Sequence, residues 1–378
     1  MVSGSVPSLP DITIVGGGII GVALARELAV RGQRVQLLER NILAQEASLA
    51  SAGIISPPAS RYGLRADLAL ASYRRYPALI AEVVDETGIS VGWNQTGELE
   101  LGADESRDAL QATWEWQHAQ GMRVEWLDRP ALEDREPALH PSLTSGIYSP
   151  DSGSLILSRL TIALARSAAN RGATIREHTH VGGVAIGSGR ATAIRTLDGE
   201  EPVGALIIAA GAWSRALSET LDFEIPTIPV RGQMLAVADP PVPIRSVIAA
   251  GGGYLVPRAD GTVAVGATEE AGSGFDSRVT PDGIRWLAEL IDRTAPSLAH
   301  GRLIDTWAGL RPGTTHGEPV IGRIPHLDNV WIATGHFRSG ALLAPATAEA
   351  LASLVLDGTV DPMIAPFDPA TVGNNLGR

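Results

Sequence analysis

Three glycines near the amino terminus follow a short apolar stretch and precede a longer one. Residues 12–39 have the pattern of an apolar strand, a glycine-rich loop, a helix and a second strand. Gly16, Gly18 and Gly21 are spaced so that the first allows a tight turn and the second lets the backbone approach a pyrophosphate. The third lets helix and strand pack closely.

The second strand ends in an acid, Glu39. It follows the loop by about 20 residues, where a carboxylate can accept both hydroxyls of a ribose. The phosphates would then lie at the helix N-terminus, where free N–H groups favour anions. Strand, loop, helix and acid in register favour a bound dinucleotide over an ordinary glycine-rich turn.

Composition excludes several kinds of chemistry. The 378-residue chain has no cysteine, which excludes disulfides, thiolate metal sites, a cysteine nucleophile and a cysteinyl cofactor bond. All 30 basic residues are arginine, so a Schiff-base lysine or a lysine general base is also excluded. No cluster of residues predicts a metal site. The net charge of −12 lacks a basic patch, which argues against nucleic acid or an anionic membrane as a partner.

No segment predicts targeting or membrane insertion. Residues 1–10 have neither the basic region nor the apolar centre of a signal peptide. Apolar runs such as residues 205–210 are far too short to span a membrane. We therefore expect a cytoplasmic protein without a membrane partner, and the sequence leaves homo-oligomerisation open.

Two patterns alternate along the chain. Buried strands separated by helices, as at residues 204–210 and 330–334, are typical of α/β structure, whereas residues 226–267 read as antiparallel strands joined by Gly and Pro turns. We predict an α/β plus α+β fold with the ligand between two interleaved domains. The Rossmann-like domain comprises residues 11–88, 150–224 and 318–370, and the antiparallel mixed-sheet substrate domain comprises residues 89–149 and 225–317.

Five longer motifs follow one another along nearly the whole chain. They are GGGIIG (16–21), PVRGQML (229–235), YLVPRADGTVAVGAT (254–268), WAGLRPGT (307–314) and GHFRSGALLAPAT (335–347). With these motifs in this order, the chain resembles the glycine oxidase and sarcosine oxidase branch of the FAD-dependent D-amino-acid oxidase superfamily. The resemblance implies that the Rossmann-like domain binds FAD, non-covalently since no cysteine is present.

The resemblance also implies site residues. The arginine of WAGLRPGT, Arg311, would bind the substrate carboxylate, for which a planar guanidinium fork is suited. Tyr254 would donate its hydroxyl to the same carboxylate, and Arg338 would be a second substrate-site arginine near the flavin. The flavin positions implied beyond the three glycines are Ile19, Ile20, Glu39, Arg40, Ala47, Ser48, Ala52, Gly53, Ile54, Val181, His336, Phe337, Arg338, Ser339, Gly340, Ala341 and Leu342.

The implied activity is oxidation of glycine, sarcosine or another small N-substituted or D-amino acid. A hydride passes from the substrate α-carbon to flavin N5, water hydrolyses the imine, and O2 is reduced to H2O2. The protein's task is then orientation rather than base catalysis. Two alternatives stay open: a dehydrogenase of the same fold that passes electrons to a partner, and a non-catalytic flavin-binding subunit of a hetero-oligomer.

The chain departs from the resemblance in several places. Related sarcosine oxidases use a lysine to activate oxygen, and this chain has none. Glu269 falls near that lysine's position, where an acid could repel a second carboxylate or attract a cationic amine. Three glycines, residues 251–253, precede Tyr254 and predict a roomier pocket that accepts bulkier amines. Glu98, Glu100 and Asp134 are expected to be surface or domain-packing charges.

Overall fold

The structure of the chain, a computed structural model, describes residues 10–371, with the side chains of residues 60 and 61 excepted. The signal-peptide prediction concerns residues 1–10, nearly all of which lie outside this range. The α-helices in this range are α1 Ile19–Val30, α2 Ala47–Ala50, α3 Ala66–Thr87, α4 Arg107–Ala119, α5 Arg129–Arg135, α6 Leu157–Asn170, α7 Ser218–Leu221, α8 Pro281–Thr294 and α9 Gly340–Asp357. The strands are β1 Ile12–Val15, β2 Val35–Leu38, β3 Ile54–Ile55, β4 Glu98–Gly102, β5 Glu125–Asp128, β6 Ser145–Ser149, β7 Gly153–Ser154, β8 Thr174–Arg176, β9 Gly183–Gly187, β10 Arg190–Thr196, β11 Gly199–Pro202, β12 Ala205–Ile208, β13 Thr227–Ala238, β14 Val247–Ala250, β15 Gly253–Pro257, β16 Val263–Gly266, β17 Glu270–Ala271, β18 Arg302–Thr314, β19 Val320–Arg323 and β20 Val330–Thr334.

A six-stranded sheet in the order β19-β20-β12-β1-β2-β8 forms the first layer. All neighbours in it are parallel except β19, which runs antiparallel to β20. In the central strand, Ile14 aligns with Ile207 of β12 and Leu37 of β2, and all three side chains are fully buried. Helices α1, α3, α6 and α9 share a core with this sheet. A parallel sheet buried on both faces requires continuous apolar strands, as the sequence has here.

A nine-stranded sheet forms the second layer, in the order β17-β13-β16-β15-β14-β4-β6-β5, with β18 pairing along β13. Its core includes Leu99, Leu255 and Val265 from the sheet together with Leu287 and Leu290 from α8. Because side chains alternate across a strand, the other face is free to line a site. Strands β9–β11 and the pair β3–β7 form two smaller sheets.

Helix α9 continues through a proline. Pro345 lacks the N–H that would donate to the carbonyl of Ala341, and the buried Tyr76 hydroxyl of α3 donates to that carbonyl instead. The hydroxyl of Ser72, also on α3, accepts from the backbone N–H of Ala346 at 3.0 Å. Helix α3 thereby supplies the hydrogen bonds that let α9 run uninterrupted from the cavity into the core.

By length and composition, one segment within residues 10–371 could cross a membrane. This segment, Phe337–Asp357, includes α9, and 56% of its most apolar window is buried inside the protein. The segment was not predicted from the sequence, because a proline and polar residues interrupt its apolar run. Its packing against α1 and α3 is that of a core helix of a globular domain.

The predicted fold class is confirmed: the chain is mixed α/β with an antiparallel-rich second sheet. Every strand of the six-stranded sheet comes from the three segments predicted for the Rossmann-like domain, and every strand of the nine-stranded sheet comes from the other two. The domain boundaries themselves stay a prediction.

Candidate active site

A cavity of about 640 Å³ is lined by the carboxyl ends of the parallel strands and by one face of the nine-stranded sheet. Strands β1, β2, β12 and β20 lead into Gly16, Glu39, Ala209 and Gly335, all of which line it. Open parallel sheets bind their ligands at this edge.

One row of the nine-stranded sheet forms part of the cavity wall. Met234, Gly266, Tyr254, Ala249 and Glu100 are successive partners across β13, β16, β15, β14 and β4. Residues directly opposite in paired strands share a face, and all of these except Gly266 line the cavity.

The structure places nearly all the predicted site residues around this one cavity. Tyr254, Arg311 and Arg338 line it. The predicted cofactor residues that line it are Gly16, Gly18, Ile19, Ile20, Glu39, Arg40, Ala47, Ser48, Ala52, Gly53, Ile54, Val181, His336, Phe337, Arg338, Ser339, Gly340, Ala341 and Leu342. Gly21 does not line it. The binding roles of all these residues stay predictions.

The three glycines of the loop have distinct surroundings. Gly16 has a φ of +118°, and a Cβ there would lie 2.3 Å from the carbonyl oxygen of Ala209. A Cβ on Gly21 would lie 2.0 Å from the carbonyl oxygen of Gly16, so Gly21 serves helix–strand packing. A Cβ on Gly18 would meet nothing closer than the Ser48 hydroxyl at 3.5 Å, so the backbone there is open to the cavity.

Glu39 is oriented by the backbone. Its Oε2 accepts from the N–H of Gly17 at 2.7 Å and its Oε1 from the N–H of Asn41 at 2.9 Å. Each carboxylate oxygen has a second acceptor position. The pair can therefore accept the two hydroxyls of a ribose without giving up the backbone bonds.

Among the described residues, four arginines line the cavity, and three of them form ion pairs. Arg40 pairs with Glu46 at 2.6 Å, Arg65 with Glu318 at 3.1 Å, and Arg338 with Glu269 at 3.5 Å. Arg311 forms no ion pair with any described residue. Among the arginines of the wall, Arg311 is thus the cation whose charge is not balanced by a neighbouring acid within the described structure.

The Arg311 guanidinium is held between strands. Arg311 lies on β18 opposite Val230 of β13, and its Nη1 donates to the carbonyl oxygen of Thr268 at 2.8 Å. Its side chain covers Gly232, where a Cβ would lie 2.4 Å from Nη1. A glycine at position 232 is therefore required for this placement.

A hydrogen-bond network fixes the Thr268 carbonyl. The Thr268 hydroxyl donates to Glu270 at 2.5 Å and accepts from the backbone N–H of Gln233 at 2.9 Å. The backbone N–H of Thr268 donates in turn to the carbonyl oxygen of Gln233 at 3.2 Å. Arg231, almost buried, binds the same carboxylate at 2.6 Å. Burial would raise the pKa of Glu270, but the bonds from Thr268, Arg231 and Gln233 lower it below its usual value. The ionised carboxylate thereby orients the segment that holds Arg311.

Tyr254 points its hydroxyl toward the cavity wall formed by Met234. The Oη–Sδ distance is 3.8 Å, which is a weak contact. A Cβ on Gly266, between them in the sheet, would lie 2.9 Å from the Tyr254 ring. The hydroxyl is therefore available to donate to a ligand.

His336 lies at the start of the GHFRSG turn and is buried, with 2% of its surface exposed. Burial, together with the charge of Arg65, lowers its pKa to about 3. Its Nε2 lies 3.3 Å from the Thr347 hydroxyl. A neutral imidazole therefore lines the cavity at physiological pH.

Two of the acids expected to be surface or domain-packing charges, Glu98 and Glu100, line the cavity. Their alternation with the buried Leu99 and Leu101 puts both carboxylates on the face of β4 away from the core. That alternation was visible in the sequence, but it does not say that the polar face borders a cavity. Asp134 lies outside the cavity, beside a shallow depression on the surface.

The three glycines before Tyr254 have two different structural roles. Gly251 and Gly252 have φ values of +58° and +80° and form the two-residue turn between β14 and β15, which explains why both are glycine. Gly253 lines the cavity, and a Cβ there would lie 2.4 Å from the side chain of Leu290, which belongs to the core of the nine-stranded sheet. The roomier pocket for bulkier amines stays a prediction.

The chain matches known proteins along nearly its whole length. Residues 11–354 match the family described as FAD dependent oxidoreductase. The chain belongs to this family. FAD is accordingly its cofactor, and the absence of cysteine from the sequence excludes a cysteinyl attachment.

Its relatives include glycine oxidases. The chain is 34% identical to the glycine oxidase of Pseudomonas aeruginosa, over 95% of this chain and 98% of that one. The crystal structure of glycine oxidase from Geobacillus kaustophilus superposes with a TM-score of 0.87 at 32% identity, covering 95% of this chain and 98% of that one.

A bifunctional relative is longer. The chain is 35% identical to the bifunctional protein ThiO/ThiG of Synechocystis sp., over 95% of this chain and 53% of the relative. The chain therefore spans about half the length of that relative, and nearly the whole length of the glycine oxidase from P. aeruginosa.

The residues of this FAD-dependent oxidoreductase fit its cofactor. The open backbone at Gly18 stands at the N-terminus of α1, where phosphates bind, and Glu39 is placed to accept ribose hydroxyls. A second helix N-terminus, that of α9 at Gly340, opens on the same cavity. The cavity thus has two ends with free N–H donors. The N-terminus of α1 suits the phosphates of FAD, and the N-terminus of α9 suits the electron-rich ring of the reduced flavin.

Proposed function

We propose that this chain oxidises glycine, sarcosine or another small N-substituted or D-amino acid, with release of an imine and reduction of O2 to H2O2. The observation that carries the proposal is that Arg311 forms no ion pair with a described residue, whereas Arg40, Arg65 and Arg338 in the same cavity wall each pair with an acid. The glycine oxidases among its relatives support the same substrate class.

Arg311 is proposed to bind the substrate carboxylate through its free guanidinium nitrogen, while Nη1 stays on Thr268. The hydroxyl of Tyr254 donates a second hydrogen bond to that carboxylate. A charged pair and a hydrogen bond from two strands fix the rotation of a molecule as small as glycine. FAD, when bound, accepts the hydride from the substrate α-carbon.

Proton handling requires no lysine, and the chain has none. The lone pair of a neutral substrate amine forms the C=N bond of the imine as the hydride, with the electrons of the C–H bond, leaves the α-carbon. His336, neutral and buried, is not placed to titrate near physiological pH. The N-terminus of α9 is the positive group proposed to favour the reduction of oxygen, since Glu269 balances the charge of Arg338.

Anaerobic bleaching of the flavin absorption tests the proposal. The substrates are glycine, sarcosine, N-ethylglycine, D-alanine and D-proline, followed by admission of air and a peroxide assay. Bleaching that recovers with peroxide supports the oxidase. Bleaching without recovery in air supports a dehydrogenase, and a flavin that none of these amines bleaches supports a non-catalytic binding subunit.

Cytoplasmic location and the domain boundaries given above are also proposed, and the oligomeric state is left open. No activity of the unmatched part of the bifunctional relative is assigned to this chain, because the match covers 53% of that protein's length.

A further inference from the structure

Two arginines at the substrate end of the cavity differ in their partners. Arg311 donates to a backbone carbonyl and forms no ion pair with a described residue, whereas Nη1 of Arg338 lies 3.5 Å from Oε2 of Glu269. Glu269 stands between Thr268, whose carbonyl binds Arg311, and Glu270, which binds Arg231. Three consecutive residues thus each hold one arginine.

The pair joins the two large sheets next to the cavity. Glu269 follows β16 of the nine-stranded sheet, and Arg338 lies in the turn between β20 and α9. The two side chains are about half exposed, 51% for Glu269 and 45% for Arg338. Arg338 lines the cavity and Glu269 does not, so the acid balances the charge of Arg338 without occupying the substrate space.

We propose that Glu269 restricts the substrate to a single carboxylate. Because Glu269 balances Arg338, Arg311 is left as the one lining arginine with an unbalanced charge among the described residues, and a second carboxylate meets a like charge near Arg338. The inference rests on the proposed function, since it names the substrate class of the same site.

The physical basis is charge rather than shape. An exposed ion pair at 3.5 Å contributes little binding energy of its own, so Glu269 does not lock Arg338 in place. Its negative charge nevertheless cancels the attraction that Arg338 would exert on a second carboxylate and adds repulsion. Glutamine has the same size and no charge, so Glu269→Gln removes the repulsion while keeping the side-chain volume.

Binding of two matched ligands to the FAD-loaded protein tests the inference. Methoxyacetate and diglycolate are both ethers without an amine, so neither is oxidised, and they carry one and two carboxylates respectively. Dissociation constants come from the perturbation of the flavin spectrum. We expect Glu269→Gln to strengthen diglycolate binding, relative to methoxyacetate, at least fivefold, and Arg338→Gln in the same chain to abolish that gain.

A matched control removes an acid elsewhere. Asp282 forms an exposed ion pair with Arg285 at 2.7 Å and does not line the cavity, so Asp282→Asn should leave the ligand ratio unchanged. The inference would be overturned if Glu269→Gln left the ratio of the two dissociation constants unchanged. It would also be overturned if the gain in diglycolate binding persisted when Arg338→Gln was added. These ligands report without turnover, so failure of every amine in the bleaching experiment to reduce the flavin refutes the proposed oxidase separately.

Discussion

The guanidinium of Arg311 lies directly over the backbone of Gly232 on the neighbouring strand. A Cβ built on Gly232 would lie 2.4 Å from Nη1 and 2.5 Å from Cζ of Arg311, closer than side-chain atoms ever approach. Gly232 pairs with Gly309, two residues before Arg311 on β18, so two glycines face each other beside the arginine. The missing side chain of Gly232 provides the surface that the guanidinium occupies, whereas a Cβ on Gly309 would meet that of Ala50 at 2.4 Å.

Replacing Gly232 with alanine is expected to displace Arg311 and leave the flavin in place. A displacement of about 1 Å at a positioned group can reduce the rate about a hundredfold. We expect KM for glycine or sarcosine to rise at least tenfold, measured by steady-state peroxide formation, with an unchanged FAD content.

Gly182 supplies the matched glycine-to-alanine control. A Cβ there would meet nothing closer than 3.8 Å, so Gly182→Ala should leave KM close to that of the parent chain. Normal kinetics in Gly232→Ala would show that the guanidinium can shift without loss and would weaken the role proposed for Arg311.

Removal of the Arg311 guanidinium is expected to weaken the binding of carboxylate substrates specifically. Arg311→Ala leaves a bound carboxylate without its charged partner, a loss on the order of 2–4 kcal/mol in kcat/KM. Arg285→Ala, which removes an exposed arginine on α8, is the control. Unchanged kinetics in Arg311→Ala would remove this residue from the site.

Loss of the Glu39 carboxylate is expected to lower the affinity for FAD. Glu39→Ala removes the acceptor for the N–H groups of Gly17 and Asn41, which order the loop, and the proposed acceptor of the ribose hydroxyls. Each such bond contributes about 1 kcal/mol or more, so the Kd for FAD should rise at least tenfold. Titration of the apoprotein by flavin fluorescence measures it, with the exposed Glu133→Ala as the control.

The cofactor half of the site could be predicted from the sequence because its determinants are local. The spacing of Gly16, Gly18 and Gly21 and the acid after the second strand lie within one strand–helix–strand unit, whose geometry is fixed by short-range packing. The strand at 330–334 was predicted with the bounds that β20 has, because a buried parallel strand is a continuous apolar run.

The substrate half could not be derived from local pattern. Glu98 and Glu100 reach the cavity because β4 pairs with β14, more than a hundred residues later in the chain, and no periodicity encodes that pairing. The ion pair of Glu269 with Arg338 likewise depends on the packing of two sheets. Gly251 and Gly252, in contrast, have a local explanation, because both have a positive φ in the two-residue turn between β14 and β15.

His336 should make the stability of the protein sensitive to acid. Its pKa is lowered to about 3 in the folded protein by burial, against an ordinary value of 6.5 when unfolded. Above pH 6.5 both states are neutral and the residue has no effect. As the pH falls below 6.5, the unfolded chain takes up a proton that the folded chain does not, so stability is lost progressively down to about pH 3.

At pH 4.5, two units below the unfolded pKa, the loss amounts to about 2–3 kcal/mol. The glutamine of His336→Gln is polar, can contact Thr347 and cannot titrate. Between pH 7.5 and pH 4.5, the free energy of unfolding of this variant should therefore fall by about 2–3 kcal/mol less than that of the parent chain. Urea unfolding at a fixed FAD concentration measures the difference. The exposed His178→Gln is the matched control and should follow the parent chain. Parallel curves for the parent chain and His336→Gln would mean that water or local opening protonates the imidazole in the folded state.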